Sequence, residues 1–291
     1  MSLLDKLLSK LTIYQLVILY LLGLLVVAIV FCFTGNLHFN PWSLIGSTLI
    51  LLTTGLFANS FFAWAFDADY KIESTLIALL ILALIISPIT SGADFWLLFW
   101  AATLAMASKY ILAIMKVHLF NPAAIAVVIT ALFLNQSASW WIGTASMLPY
   151  VLIGGLLIAR KMRRGNLIWA FVITVFVITS IISIYKGTNL ITTWSRISFT
   201  SSLFFFAFTM LTEPKTAPYG KKMLIYYGIL VGFLFSPQVH FGSLYLTPEL
   251  ALVIGNILAF LVKIMNRSNT NSQNTRITSP QIPVQTPNIS L

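Results

Sequence analysis

Charge is scarce in this chain. Asp, Glu, Lys and Arg make up 8% of its 291 residues, against about a quarter in a soluble domain. With 59% hydrophobic residues, a water-soluble globule is excluded. Cysteine is almost missing, and the single Cys32 lies inside an apolar run. One thiol makes no internal disulfide and holds neither an iron–sulfur cluster nor a structural zinc. It reads as a small packing residue. No metal-ligand set and no catalytic set emerges: there is no Gly-rich dinucleotide fingerprint and no Ser-His-Asp spacing. His38, His118 and His240 fall between apolar runs, which does not offer two axial ligands to a haem. Acids are missing from the middle of the apolar runs as well. Asp5, Asp67, Asp69, Glu73, Asp94, Glu213 and Glu249 all sit at or near the ends. Buried charge is costly and kept for use, so this pattern argues against an autonomous ion pump. No cleavable leader is expected, because the first apolar run is too long for one and no A-x-A site follows.

What the chain has instead is apolar runs near membrane length. Ten segments are predicted, at 13–33, 42–66, 72–88, 95–115, 122–134, 144–160, 166–185, 197–212, 222–237 and 247–265. This is the pattern of an all-α polytopic membrane protein. The segment 122–134 is short. At about 1.5 Å per residue it covers only about 20 Å of a hydrocarbon core about 30 Å thick. Residues 2–11, with Leu4, Leu7, Leu8 and Leu11 on one side, read as an interfacial helix within an N-terminal unit 1–12. Residues 266–291 lack aromatics and are rich in Asn, Ser, Thr, Gln and Pro, which predicts a disordered tail.

A shift of 126 positions superimposes the first five segments on the last five. Pro88 lands on Pro214, Pro122 on Pro248, Thr90 on Thr216 and Leu132 on Leu258. Five is odd, so the second unit enters the membrane from the opposite side. The expectation is a 5+5 inverted repeat, 13–138 and 139–265, with ligand sites near the midplane at interrupted helices. "LFNPAAIAVVI" and "LTPELALVIGN" then head two short helices, with Asn121 and Thr247 as caps. Helix ends at membrane depth must face protein, water or ligand. Lys and Arg concentrate in alternate loops, leaving only Lys186 and Arg196 on the other side. That places both termini in the cytoplasm of a cell (inner) membrane protein. It also accounts for the net charge of +10 with no nucleic acid. "ARKMRRG" at 159–165 reads as a topology anchor, or as a docking patch for an anionic partner or headgroup.

Two loops collect polar groups: "HLFNPAA" at 118–124 and "LTEPKTAPYGKK" at 211–222. Thr212, Glu213, Lys215 and Thr216 place hydroxyl, carboxylate and ammonium beside two prolines that stiffen the turn. They form either a rigid hairpin or one wall of a ligand site whose other wall is the Asn121 helix end.

At these loops the chain resembles a family: the B subunit of the sodium-pumping NADH:quinone reductase (Nqr) and the D subunit of the Rnf electron-transport complex. "LFNPAAIAVV" and "FFFAFTMLTEPKTAP" resemble its F-N-P-A and F-M-x-T-D-P-x-T-x-P elements, and "ESTLIALLILALIISPITS" an upstream stretch. The likeness covers roughly residues 60–265. It implies ten spans in a fold related to urea transporters, and a flavoprotein subunit of an oxidoreductase. The cofactor would be FMN or riboflavin, held noncovalently by Asn121, Pro122, Lys109, Thr212, Glu213 and Thr216. Thr144 in "IGTAS" lacks the S-G-A-T context of the family's covalent FMN, so a covalent link there is not expected. Glu213 stands where the family has Asp. The partners implied are the lipid bilayer and a separate cytoplasmic NAD(P)H or flavin reductase or other complex subunits. A channel or carrier for a small neutral solute is the rival expectation.

Overall fold

Apolar runs become helices because a backbone out of water must bond to itself, and the breaks fall where Pro, Gly and capping side chains interrupt them. The computed structural model describes residues 10–114, 117–199, 202–236, 239–242 and 244–278. The predicted interfacial helix therefore lies almost wholly outside the described residues. Helix α1 spans Ile13–Phe33, started by a reciprocal box between Thr12 and Gln15. Helix α2 spans Pro41–Ala65, with Asn40 capping and Pro41 in the first turn. Helix α3, Ile72–Ile85, is 14 residues long. It stops where Ser87-Pro88 forces extended backbone. Helix α4 spans Gly92–Ile111, and a short ribbon follows, β1 (Ala113–Ile114) on β2 (Val117–His118). Helix α5, Pro122–Leu134, ends at Asn135 in left-handed backbone.

After a 3₁₀ turn at Trp141–Gly143 come α6 (Leu148–Met162) and α7 (Gly165–Tyr185). Helix α8 (Leu190–Phe199) is amphipathic and was not expected as a separate element. Helix α9 (Leu203–Phe205) runs into a π turn at Phe206–Met210. Helix α10 spans Lys221–Phe235. A second ribbon, β3 (His240–Phe241) on β4 (Leu244–Tyr245), precedes α11 (Pro248–Thr278).

Helix α2 packs along α4, and α7 along α10. Helix α1 crosses α3, and α6 crosses α9 and its π turn. Helix α5 lies against α4, and α11 against α10. The two sets meet where α5 packs on α11 and α1 on α6. Phe171, Phe205 and Phe206 are among the largest fully buried side chains, and Phe171, Phe206 and Phe235 pack ring on ring with centroids 4.9–5.4 Å apart. The perimeter is equally apolar: Phe57, Leu132, Phe133, Trp169 and Ile184 are more than 60% exposed. Surface of this kind belongs against lipid. Among the described residues four helices are long and apolar enough to cross a membrane: α1, α2, α7 and Pro248–Met265 of α11.

Two expectations change. The segment beginning at Pro248 is not a short mate of α5, because nothing breaks it before Met265. The short apolar helices are α3 and α5. Residues 266–278, expected without order, continue the α11 backbone helix. Extending an existing helix costs far less than nucleating one, even for polar residues. Residues 279–291 lie outside the described residues.

Candidate functional site

The start of α5 is the centre of the polar groups. Asn121 is 2% exposed, so its capping is done inside protein. Its Oδ1 accepts from the Ala124 N–H at 3.1 Å, and its Nδ2 donates to Glu213 Oε2 at 2.8 Å. Its own backbone N–H donates to Asn256 Oδ1 at 2.9 Å. Asn256 Nδ2 in turn donates to the Tyr227 hydroxyl at 2.9 Å. Thr216 Oγ1 reaches Glu213 Oε2 at 3.5 Å. One helix start thus ties α5, α10, α11 and the 211–220 loop together.

Glu213 sits in that loop, outside the helices. Burial raises its carboxyl to about 6, opposed first by the Lys215 charge and then by hydrogen bonds from Asn121 and Thr216. Lys215, also in the loop, is lowered by burial against the pull of Glu213. Its Nζ contacts Ser74 Oγ at 3.4 Å.

A second cluster surrounds Lys109, which is 6% exposed. Its Nζ donates to Thr75 Oγ1 at 2.8 Å and to Asn59 Oδ1 at 3.2 Å. The Tyr110 hydroxyl donates to the same Asn59 oxygen at 2.9 Å. With Oδ1 taken by two donors, Asn59 Nδ2 is left buried and without a partner.

A cleft of ≈ 500 Å³ opens over the Lys109 cluster and reaches Lys215, lined by Phe66, Asp69, Lys71, Lys109, Tyr110 and Lys215. It shares Lys71, Ser74 and Lys215 with a neighbouring cleft of ≈ 360 Å³. That one shares Tyr14 and Ser74 with a small cavity of ≈ 30 Å³ reaching Asn121, Pro122 and Glu213. The main cleft lies within the range of small-molecule sites, about 300–1,000 Å³.

Of the six site residues expected from sequence, four gather at the start of α5, and a fifth, Lys109, lies in the second cluster. Asn121, Pro122 and Glu213 line the inner cavity, Lys109 lines the main cleft, and Thr216 holds Glu213. Thr212 does not join them. It is 1% exposed, and its hydroxyl donates to the Phe208 carbonyl at 2.7 Å. Its position beside the π turn lets it bond back into its own helix. Thr144, at the end of the 3₁₀ turn, has its Oγ1 buried without a partner. Sequence reading missed Asn59, Thr75, Asn256 and Tyr227. Asn59 and Asn256 carried one signal, an amide in the middle of an apolar run. Their partners carried none.

A related arrangement heads α11. Thr247 Oγ1 accepts from the Leu250 N–H at 3.3 Å, but Thr247 is exposed where Asn121 is buried. Glu249 is 2% exposed and accepts from Trp140 Nε1 at 2.7 Å. The Trp140 N–H donates to the Ile85 carbonyl at 2.8 Å. Trp140 thereby joins the broken end of α3 to the start of α11. Among the described residues no group of three His, Cys, Asp or Glu could hold a metal.

Compared with protein-family models and with curated proteins, the chain matches none.

Proposed function

We propose that this chain is a membrane-embedded electron-transfer subunit that holds a flavin noncovalently in the cleft over Lys109, Lys215 and Asn121. One observation carries the reading: a ligand-sized cleft with lysines on its walls adjoins, through Ser74, a small cavity where the Glu213 carboxylate accepts from the side chain of Asn121 at the start of a short helix. The residues fit such a cofactor. Lys71, Lys109 and Lys215 suit a phosphate or an electron-rich ring. Phe66 and Tyr110 give ring surfaces beside them, and Asn59 Nδ2 is an unused donor next to Lys109. A bound flavin would accept electrons and release them. The chain holds the site in place: Asn121 orients Glu213, and Thr75 and Asn59 fix the Lys109 ammonium. The resemblance to the Nqr B and Rnf D subunits supports the same assignment.

The architecture we infer is ten spans in a 5+5 inverted repeat, 13–138 and 139–265, with both termini cytoplasmic. Matching neighbours favour it: α2 on α4 corresponds to α7 on α10, and α4 on α5 to α10 on α11. A two-stranded ribbon precedes both α5 and α11. Electrons would come from a separate cytoplasmic NAD(P)H or flavin reductase. The competing reading is a pore or carrier for a small neutral solute.

The visible spectrum of the detergent-purified protein tests the proposal. A yellow chromophore that acid precipitation releases is expected, with occupancy lowered in Asn121→Ala and Glu213→Ala. Unchanged occupancy in both variants would remove those residues from the site. A colourless folded protein that lets a solute swell liposomes would replace flavin binding with transport.

A further inference from the structure

A basic cluster adjoins Lys215 of the cleft wall, where the α6–α7 turn, the 213–220 loop and the later part of α11 converge. Arg164 opens α7, and Lys263 lies near the end of the apolar part of α11. Lys263 Nζ donates to the Lys215 carbonyl at 2.7 Å and stands 5.1 Å from the centre of the Tyr219 ring. It is close enough to Arg164 for the two charges to repel. Arg164 Nη1 is buried and has no hydrogen-bond partner. Burial lowers Arg164 from the usual guanidinium range, partly offset by Tyr227 and Tyr219. Lys221 and Lys222, two and three residues after Tyr219, open α10 and are exposed.

The Glu213 charge favours Lys263 but is shared with Lys215 and Lys109, so the cations outnumber it, and a buried guanidinium nitrogen without a partner favours a further anion. The place indicates which anion. Met162, Gly165 and Lys221 mark the ends of helices α6, α7 and α10, so the cluster lies at the boundary of the apolar layer. Trp169, Tyr219 and Tyr226 are exposed around it, as aromatic side chains are at a membrane interface. A bidentate guanidinium fits phosphate geometry, and basic pockets between helices at a leaflet surface take anionic headgroups.

We propose that Arg164 and Lys263, with Lys221 and Lys222 at the rim, bind the phosphate of an anionic phospholipid in the adjoining leaflet. This binding does not rest on a flavin in the cleft, although Lys263 is hydrogen-bonded to the cleft residue Lys215.

The test uses the full chain in mixed micelles of phosphatidylglycerol and phosphatidylcholine, with bound lipid counted by native mass spectrometry. Phosphatidylglycerol should be retained in preference. Each cation near a membrane surface contributes about 1 kcal/mol, so Arg164→Gln with Lys263→Gln should lower that preference about 30-fold. Lys221→Gln with Lys222→Gln, both exposed, should lower it several-fold while leaving the fold unchanged. Lys186→Gln, in the turn after α7, should not change it. The lipid assignment fails if the preference survives in both double variants. It also fails if inorganic phosphate displaces phosphatidylglycerol from the unmodified protein, since the site would then take free phosphate.

Discussion

Asn121 spends both ends of its amide and its backbone N–H on three different elements. Asn121→Ala removes a cap and leaves the Glu213 carboxylate short of a donor. A loss of about 1–3 kcal/mol is expected, from the cap and the charged hydrogen bond together, read as a fall in the midpoint of thermal unfolding in detergent. Glu213 makes stability depend on pH. Burial raises its carboxyl to about 6, so the folded chain holds that proton more tightly than the unfolded one. The contribution is fully present below the ordinary carboxylate range and is lost as pH rises through about 6. Unfolding midpoints should fall between pH 5 and 7 in the unmodified protein by more than in Glu213→Gln; parallel curves would rule Glu213 out as the titrating group. Trp140→Phe keeps the ring but leaves Glu249 without its indole donor. A cost of about 1–3 kcal/mol follows for the lost donor, and a silent substitution would show that the Thr247 hydroxyl and the Glu249 N–H already satisfy the carboxylate.

At the scale of elements, the α7–α10 pair depends on two small residues one turn apart. A Cβ on Gly228 would meet the Leu167 carbonyl oxygen at 2.7 Å, and one on Gly232 the Phe171 carbonyl oxygen at 2.8 Å. Small residues four apart let helix backbones approach in lipid, where no hydrophobic effect drives helices together. Gly232→Val should therefore force α10 off α7 and cost about 1–3 kcal/mol as overpacking. Gly23 in α1 has nothing within 4 Å of a built Cβ, and Gly23→Ala should be neutral or slightly stabilising. Equal thermal shifts in the two variants would remove the close-approach argument. The helices themselves were legible because apolar runs, Asn40-Pro41 and Asn121-Pro122 mark them directly. Helix α8 was not, since Leu190–Phe199 is short and polar on one side, and its run merges with the next. The mismatch between α5 and the segment after Pro248 was also hidden. Pro marks where a helix starts, but only the absence of a later breaker tells how far it runs.

For the molecule as a whole, the arrangement of spans can be tested by chemistry. Cys32 is the chain's one cysteine and is buried. In a Cys32→Ser background, single cysteines at Lys161, Lys222 and Lys186 report sidedness. Membrane-impermeant maleimide should label positions 161 and 222 from one side and position 186 from the other. Labelling of all three from one side would overturn the inverted repeat.

Composition and run length alone determined that this is a helical chain with lipid-facing surface. The transfer of apolar side chains out of water depends on how many there are and how they are spaced, not on what they touch. Cap positions such as Asn121 were equally local, because a cap acts within its own turn. Only the tertiary structure decided which polar groups meet. Asn121 bonds Glu213, 92 residues away, and Asn256, 135 residues away, while Thr212, one residue from Glu213, turns back on its own helix. A hydrogen bond needs direction and a distance near 3 Å, and separation along the sequence carries no trace of either.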